Sequence, residues 1–286
     1  MGAELQSRGY QTRSVLNWRT PLHLSLIARL PSSGWAWFLL LVPAGAAIVL
    51  AFAAMVRDGR TAAGAALVPL MLASFPSFMP GGTMYAEVWA GVLIVFSAAA
   101  YCLGWWRVGA TAALLALFFR ELALPYVLIS VWLAHRQKRK PELAFLLVGL
   151  AAYAAYFGWH ASEVVPRMRA TDLEAPWREA WIRFGGLRFI LTATRQGLFL
   201  GGPLWVTALY LPIALFGLVG WTNPIALRLL LTVGVYLLAF SVLGRPVQFY
   251  WGAVYCTLLS FGAVLSIAAF RDLVRALRLR SPVRTE

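Results

Sequence analysis

ALLALFFRELALPYVLISVW, residues 113–132, sets Arg120 and Glu121 side by side inside an otherwise apolar run. Either charge at the centre of a bilayer costs about 3 kcal/mol on insertion scales. The apolar run extends over residues 108–134 and reads in two ways. As one span, it buries the pair at mid-depth and puts MVRDGR (55–60) and GWWRVG (104–109) opposite HRQKRK (135–140). As a hairpin that turns at Arg120–Glu121, it brings all three basic loops to one face. The turn holding Arg228 and the tail RDLVRALRLRSPVR (271–284) fall on that face too. In the hairpin, the short loops on the basic side carry Arg57, Arg60, Arg107, Arg136, Lys138, Arg139, Lys140 and Arg228, against Arg120 and Arg245 alone on the other. Lys and Arg in short loops favour the cytoplasm, which selects the hairpin. Each half is about 12 residues, too short to span. A re-entrant turn is tolerated only where protein or a water-filled cavity surrounds it, so the pair is expected at the outer end of a cavity. Pro125 helps break the helix.

The rest of the chain agrees with a membrane setting. Of its 286 residues, 61% are hydrophobic, and the mean hydropathy is +0.73. An integral membrane protein follows, and the 13 Trp and ten Tyr suit interfacial anchoring. Apolar spans are expected at 34–55, 61–79, 85–103, 142–159, 202–220, 226–243 and 249–270, on the requirement of about 20 apolar residues each. The net charge of +14 comes from arginines dispersed through loops. Phospholipid headgroups and phosphate-bearing substrates therefore fit better than nucleic acid, which is excluded as a partner. Cys102 and Cys256 sit in apolar runs, without metal-ligand spacing. The expected organisation is a single transmembrane domain over 1–286. It comprises an outer amphipathic segment (1–33), spans with a re-entrant turn (34–160), an outer loop with an interfacial helix (161–201), three further spans (202–270) and a basic cytoplasmic tail (271–286).

Two outer segments read as helices lying in the interface. In NWRTPLHLSLIARLPSSGW (17–35), Leu22, Leu26, Ile27 and Leu30 share a face, with Arg19, His23 and Arg29 mostly off it. In WREAWIRFGGLRFILTATRQGLFL (177–200), Trp177, Trp181, Phe184 and Phe189 alternate with Arg178, Arg183, Arg188 and Arg195.

Glu87, in GGTMYAEVWAG, opens a span as either a helix-terminal carboxylate favoured by the macrodipole or part of a site. Arg120–Glu121 is mutual neutralisation at a turn or a functional pair. A purely structural hairpin gains little from a buried ion pair, which favours function. Arg245, in LGRPVQFYWGAVY, is a snorkelling cation or a site residue. His160 and Glu163 read as an aromatic-rimmed helix end. Asp172 and Glu174 read as a solvated loop. Arginine recognises phosphate bidentately, and a carboxylate can act as general base, so this set suits displacement of a lipid phosphate. No nucleotide loop, serine nucleophile motif or zinc site is present in the sequence.

These residues carry a resemblance. RTPLHLSLIARLPSS is similar to the first outer loop of GT-C-fold glycosyltransferases, in the branch of protein mannosyltransferases and lipid A aminoarabinose transferases. There a K-P-P-L-x-x-W pattern and then A-R-L-P-S lead into a helix. Arg19, Thr20, Pro21 and Leu22 align with the first and Ala28 to Ser32 with the second. Glu87 takes the acidic place opening the next helix, Arg120 the basic place before a Pro, and Arg245 with Tyr250 the basic-then-Tyr place before the last core span. The resemblance implies an all-α, polytopic GT-C-like helix bundle with interfacial helices on the outer face. The implied activity is transfer of a sugar from a polyprenyl-phosphate carrier to a lipid, glycan or protein acceptor, at the outer face of the cytoplasmic membrane. Arg120 and Arg245 would hold the phosphate, with Arg19 and Tyr250 as further substrate contacts, and Glu87 and Glu121 as the carboxylates of the site. The family's catalytic Asp follows its first transmembrane helix. No counterpart occurs here and Glu4 does not replace it, so either that helix and Asp lie upstream of Met1 or the chain is an inactive relative. The N-terminal stretch lacks a signal peptide, and an upstream helix would supply its route across the membrane. A flippase or transporter of lipid-linked intermediates and a non-catalytic membrane subunit are the other readings. No cofactor is implied.

Overall fold

The computed structural model describes residues 14–79, 81–168, 184–196, 202–243 and 246–280. It is an all-α bundle of multi-pass membrane type, with α1 (Pro21–Ala28), α2 (Ser33–Arg57), α3 (Thr61–Ser74), α4 (Ala86–Cys102), α5 (Trp106–Phe119), α6 (Leu124–Arg136), α7 (Lys140–Val164), α8 (Gly186–Thr194), α9 (Leu204–Val219), α10 (Pro224–Val242) and α11 (Leu259–Arg280).

The bundle is apolar outside as well as inside. Along α2, Ala36, Leu40, Ala44, Ala47, Ala51 and Ala54 are buried, while Trp35, Phe38, Val42 and Val49 on the other side are exposed. Small residues let a neighbouring backbone approach, and α2 packs against α4. An apolar outer surface of this extent suits lipid and would associate in water. At the centre stands α4, with 13 of its 17 residues buried. At the edge stands α7, with only five of 25 buried. A close crossing joins α9 and α11. A Cβ on Gly217 would lie 1.9 Å from the Gly262 carbonyl oxygen, so only glycine permits this backbone contact.

Among the described residues, four helical segments are long and apolar enough to cross a membrane: Ser33–Arg57, Lys140–Arg167, Pro224–Val242 and Cys256–Arg278. Three of the expected spans are shorter helices, namely α3, α4 and α9. At 61–79 the helix stops at Ser74, because a proline disfavours helical geometry in the residue before it. Phe75, preceding Pro76, is extended at φ −81°, ψ 111°. The expected span at 249–270 also differs. Its first part is the 3₁₀ segment Pro246–Val254, and α11 starts at Leu259 and continues through the expected tail to Arg280. Tight contact dictates this: a Cβ on Gly252 would lie 1.8 Å from the Ala193 carbonyl oxygen of α8.

Between residues 108 and 134 the chain forms two helices, α5 and α6. At 1.5 Å per residue the 14 residues of α5 rise about 21 Å, short of the roughly 30 Å hydrocarbon core. Arg120 breaks the helix with an extended backbone (φ −152°, ψ 122°), and a 3₁₀ turn, Glu121–Ala123, follows. Pro125 sits in the first turn of α6, where its missing N–H is no loss.

Side chains fix which loops meet. Arg57 donates to the Leu103 carbonyl. Asp58 accepts from Trp221 Nε1 at 2.7 Å and Asn223 Nδ2 at 2.8 Å. The α2–α3, α4–α5 and α9–α10 loops therefore gather at one end of the bundle, where Arg57, Arg60 and Arg107 lie. The α5–α6 turn lies at the other.

Candidate functional site

The site is built on the first turns of α4. Glu87 and Gly91, four residues apart, share one face of the helix, and Thr83 lies in the 3₁₀ turn Gly82–Met84 just before it. Glu87 is fully buried. Arg120 Nε lies 2.8 Å from Glu87 Oε1, and Arg19 Nη1 lies 3.3 Å from Glu87 Oε2. Arg120 also pairs with Glu121. The helix break at Arg120 thus delivers a guanidinium between two carboxylates. The group is not sealed: Arg19 keeps 35% side-chain exposure and Glu121 25%.

One turn along α4, Gly91 brings in the fourth component. A Cβ there would lie 2.1 Å from the Ala253 carbonyl oxygen, so Gly91 lets the Pro246–Val254 segment rest directly on the helix. That segment places Tyr250 against Tyr85, with ring centroids 5.5 Å apart, and within electrostatic reach of Glu87, Arg19 and Arg120. Burial first, and then the Glu87 charge, push the Tyr250 phenol above its ordinary range.

Beneath this group is an aromatic box. The carbonyl oxygen of Thr83 accepts from His23 Nε2 and from Trp89 Nε1, both at 3.0 Å. Trp89 stacks on Phe119 at 5.4 Å, and His23 meets both rings. A carbonyl only accepts, so Nε2 carries the proton and Nδ1 is the free lone pair. Nδ1 is buried without a hydrogen-bond partner among the described residues. Burial lowers the His23 pKa below its ordinary value, outweighing the hydrogen bond to Thr83.

No known protein family, no curated protein and no solved structure matches the chain. The site is therefore read from its own geometry.

Of the residues singled out from the sequence, Arg19, Glu87, Arg120, Glu121 and Tyr250 converge at one end of the bundle. Arg245 lies outside the described residues, as do Glu4, Asp172, Glu174, Trp177, Arg178, Trp181 and Arg183. One orientation is reversed. On α1, His23 is the buried residue, whereas Leu22 and Leu24 are exposed. Partners for its ring inside the bundle outweigh burial of the leucines, which face an apolar exterior in any case. Two tethers hold this geometry: Leu22 N–H donates to the Tyr156 hydroxyl at 3.0 Å, and His160 Nε2 donates to the Trp18 carbonyl at 3.1 Å. Glu163 is exposed and pairs with Arg167 at 2.8 Å. On α8, Phe189 is buried against Phe240, and Arg195 donates to the Gly202 carbonyl at 3.0 Å.

A second buried ionic group lies at the basic end. Arg228 sits 3.6 Å over the Tyr101 ring, pairs with Glu142 at 3.7 Å and donates to the Ser130 hydroxyl. The Tyr126 hydroxyl meets that of Ser97 at 2.9 Å, and Ser97 donates to the Gly109 carbonyl at 2.6 Å. These contacts link α4, α5, α6, α7 and α10. Among the described residues, no three His, Cys, Asp or Glu side chains gather as metal ligands would.

Proposed function

We propose that the Glu87–Arg120 group binds the head of a polyprenyl-phosphate sugar, and that the protein is a GT-C-type glycosyltransferase. One observation carries the reading: two arginines and two carboxylates meet at a helix break in an apolar bundle, with one member of each kind reachable from outside. A sugar phosphate asks for both kinds of partner. Guanidinium N–H groups match phosphate oxygens, and carboxylates match sugar hydroxyls. Arg120 commits only part of its five donors to Glu87 and Glu121, and Arg19 commits one nitrogen to Glu87.

Roles follow from accessibility. Glu87 is enclosed and positions the two arginines. Arg19, the reachable arginine, meets the phosphate, and the buried Arg120 behind it adds its charge as the bond to the anomeric carbon breaks. Glu121 is the carboxylate a substrate can reach. It holds sugar hydroxyls or takes the proton of the acceptor hydroxyl as its oxygen attacks the anomeric carbon, and the polyprenyl phosphate leaves. Tyr250 donates its phenolic hydrogen to the same head. By the asymmetry of basic loops, the site faces outward across the cytoplasmic membrane and the C-terminal end faces the cytoplasm.

The test uses the full chain in membranes supplied with radiolabelled polyprenyl-phosphate sugar. Retention of label on the purified protein and release of sugar to acceptor are both scored. Glu121→Gln should keep retention and lower transfer about 100-fold, the usual scale for one acid–base group. Labelled lipid that crosses the bilayer with its glycosidic bond intact would make the protein a transporter. Retention that is the same in wild type and Arg120→Met would remove the phosphate site.

A further inference from the structure

Away from this site, two grooves of nearly equal size open on the apolar exterior, and they differ in one respect. The first, about 430 Å³, is lined by Pro43, Leu93, Phe96, Val108, Ala112 and Leu115, with Thr111 and Arg107 as its polar members. The second, about 440 Å³, is lined by Pro212, Ile213, Phe216, Ser266, Ile267 and Phe270, with no charged residue. Arg107 stands in the first turn of α5, at the basic end of the bundle, and the other α5 lining residues descend one face of the helix away from it. Its guanidinium lies over the Trp106 ring at 5.4 Å and faces no carboxylate among the described residues. Trp105, beside it, is 52% exposed. An exposed arginine at the mouth of an apolar groove, with an exposed tryptophan two residues before it in the chain, has the polarity profile of one lipid: a charged head and an aromatic interface, then hydrocarbon.

We infer that this groove is a site for one anionic glycerophospholipid of the basic-side leaflet, its phosphate on Arg107 and an acyl chain along Thr111, Ala112 and Leu115. Charge complementarity selects the occupant. Arg57 lies at the same end of the bundle and adds to an electropositive surface that concentrates anionic lipid. A zwitterionic lipid gains the groove without the charge, and the second groove offers that condition within the same molecule.

The experiment is native mass spectrometry of the full chain extracted from vesicles of equal phosphatidylglycerol and phosphatidylcholine, counting lipids retained. Wild type should keep one phosphatidylglycerol in preference to phosphatidylcholine. Arg107→Gln should lower that preference about fivefold, the effect of one cation beside an anionic headgroup. Thr111→Trp, which fills the groove, should abolish retention, while Ile267→Trp in the second groove should leave it unchanged. Equal retention of the two lipids, or retention unaffected by Arg107→Gln and Thr111→Trp, overturns the assignment. A disulfide-linked dimer formed through Val108→Cys would show a second copy in the groove and overturn it as well.

Discussion

Glu87 and Glu142 are both buried carboxylates facing arginines, yet they stand at opposite ends of the bundle and in different circumstances. Glu87 opens α4 and Tyr101 closes it, about 21 Å apart along the axis. Around Glu142 the contacts are mostly enclosed, and Arg139, its side chain 51% exposed, reaches the carboxylate from outside at 3.5 Å. Arg228 lies between an aromatic face and a serine hydroxyl, and the Arg228 and Glu142 side chains are almost wholly buried. Around Glu87 they remain partly open, through Arg19, Glu121 and a histidine nitrogen without a partner. A buried charge alone does not mark a site. The Glu142 group ties five helices together and shows the outside a cation, Arg139, whereas the Glu87 group shows it both a cation and a carboxylate.

That contrast can be broken by substitution. The largest effect should come from removing one partner of a buried pair. Arg120→Ala should cost about 3–5 kcal/mol of stability, because it takes the nearer arginine from the buried Glu87, and Arg228→Ala should cost less, because Arg139 stays 3.5 Å from Glu142. Thermal unfolding in detergent measures this, and a loss below about 1 kcal/mol for Arg120→Ala would mean that the surroundings rehydrate the carboxylate.

Gly91→Ala comes next. Its Cβ would meet the Ala253 carbonyl oxygen at 2.1 Å. The expected cost is about 1–3 kcal/mol of overpacking, accompanied by displacement of Tyr250 from Glu87. Quenching or shift of a probe on the Pro246–Val254 segment would report the displacement.

A smaller effect should appear with pH. The folded state holds His23 below its ordinary pKa of 6.5, so as pH falls the unfolded chain binds the proton first. Stability present above about pH 6.5 is therefore lost below it, until the folded pKa is reached. His23→Gln should flatten this slope between pH 7 and pH 5.5, and an unchanged slope would place the titrating group elsewhere. The smallest effect belongs to the exposed Glu163–Arg167 pair, four residues apart on the helix. Arg167→Ala should change stability by no more than about 0.5 kcal/mol.

Much of the bundle is legible in the sequence because hydropathy and charge act locally. The interruption at Arg120–Glu121 is visible as two charges in an apolar run, and the loop arginines show which ends belong together. The lengths of α3, α4 and α9 are not visible that way. A hydropathy window cannot distinguish apolar helix from the apolar turns that follow it, as at Phe75–Phe78. The 3₁₀ path of Pro246–Val254 depends on Gly252 meeting Ala193, a contact between residues distant in the chain. His23 escaped for a similar reason. On α1 it looks like the polar edge of an interfacial helix, and only the Thr83 carbonyl, brought close by the fold, turns it inward. Spacing did carry one signal for the site: Glu87 and Gly91 lie one turn apart in GGTMYAEVWAG, a carboxylate beside a position where another backbone can approach.

The most direct measurement compares two double variants that remove a buried ion pair whole, so that the charges left without it are the partly exposed Arg19, Glu121 and Arg139. Glu87→Leu with Arg120→Met removes the pair at the Glu87 group, and Glu142→Leu with Arg228→Met removes the pair at the Glu142 group. Retention of radiolabelled polyprenyl-phosphate sugar is then measured per folded molecule in both. The expected result is loss of retention in the first, by at least about tenfold for a charge-assisted contact worth 1.5–3 kcal/mol, and wild-type retention in the second. Equal retention in the two would contradict the division between a binding group at Glu87 and a structural one at Glu142.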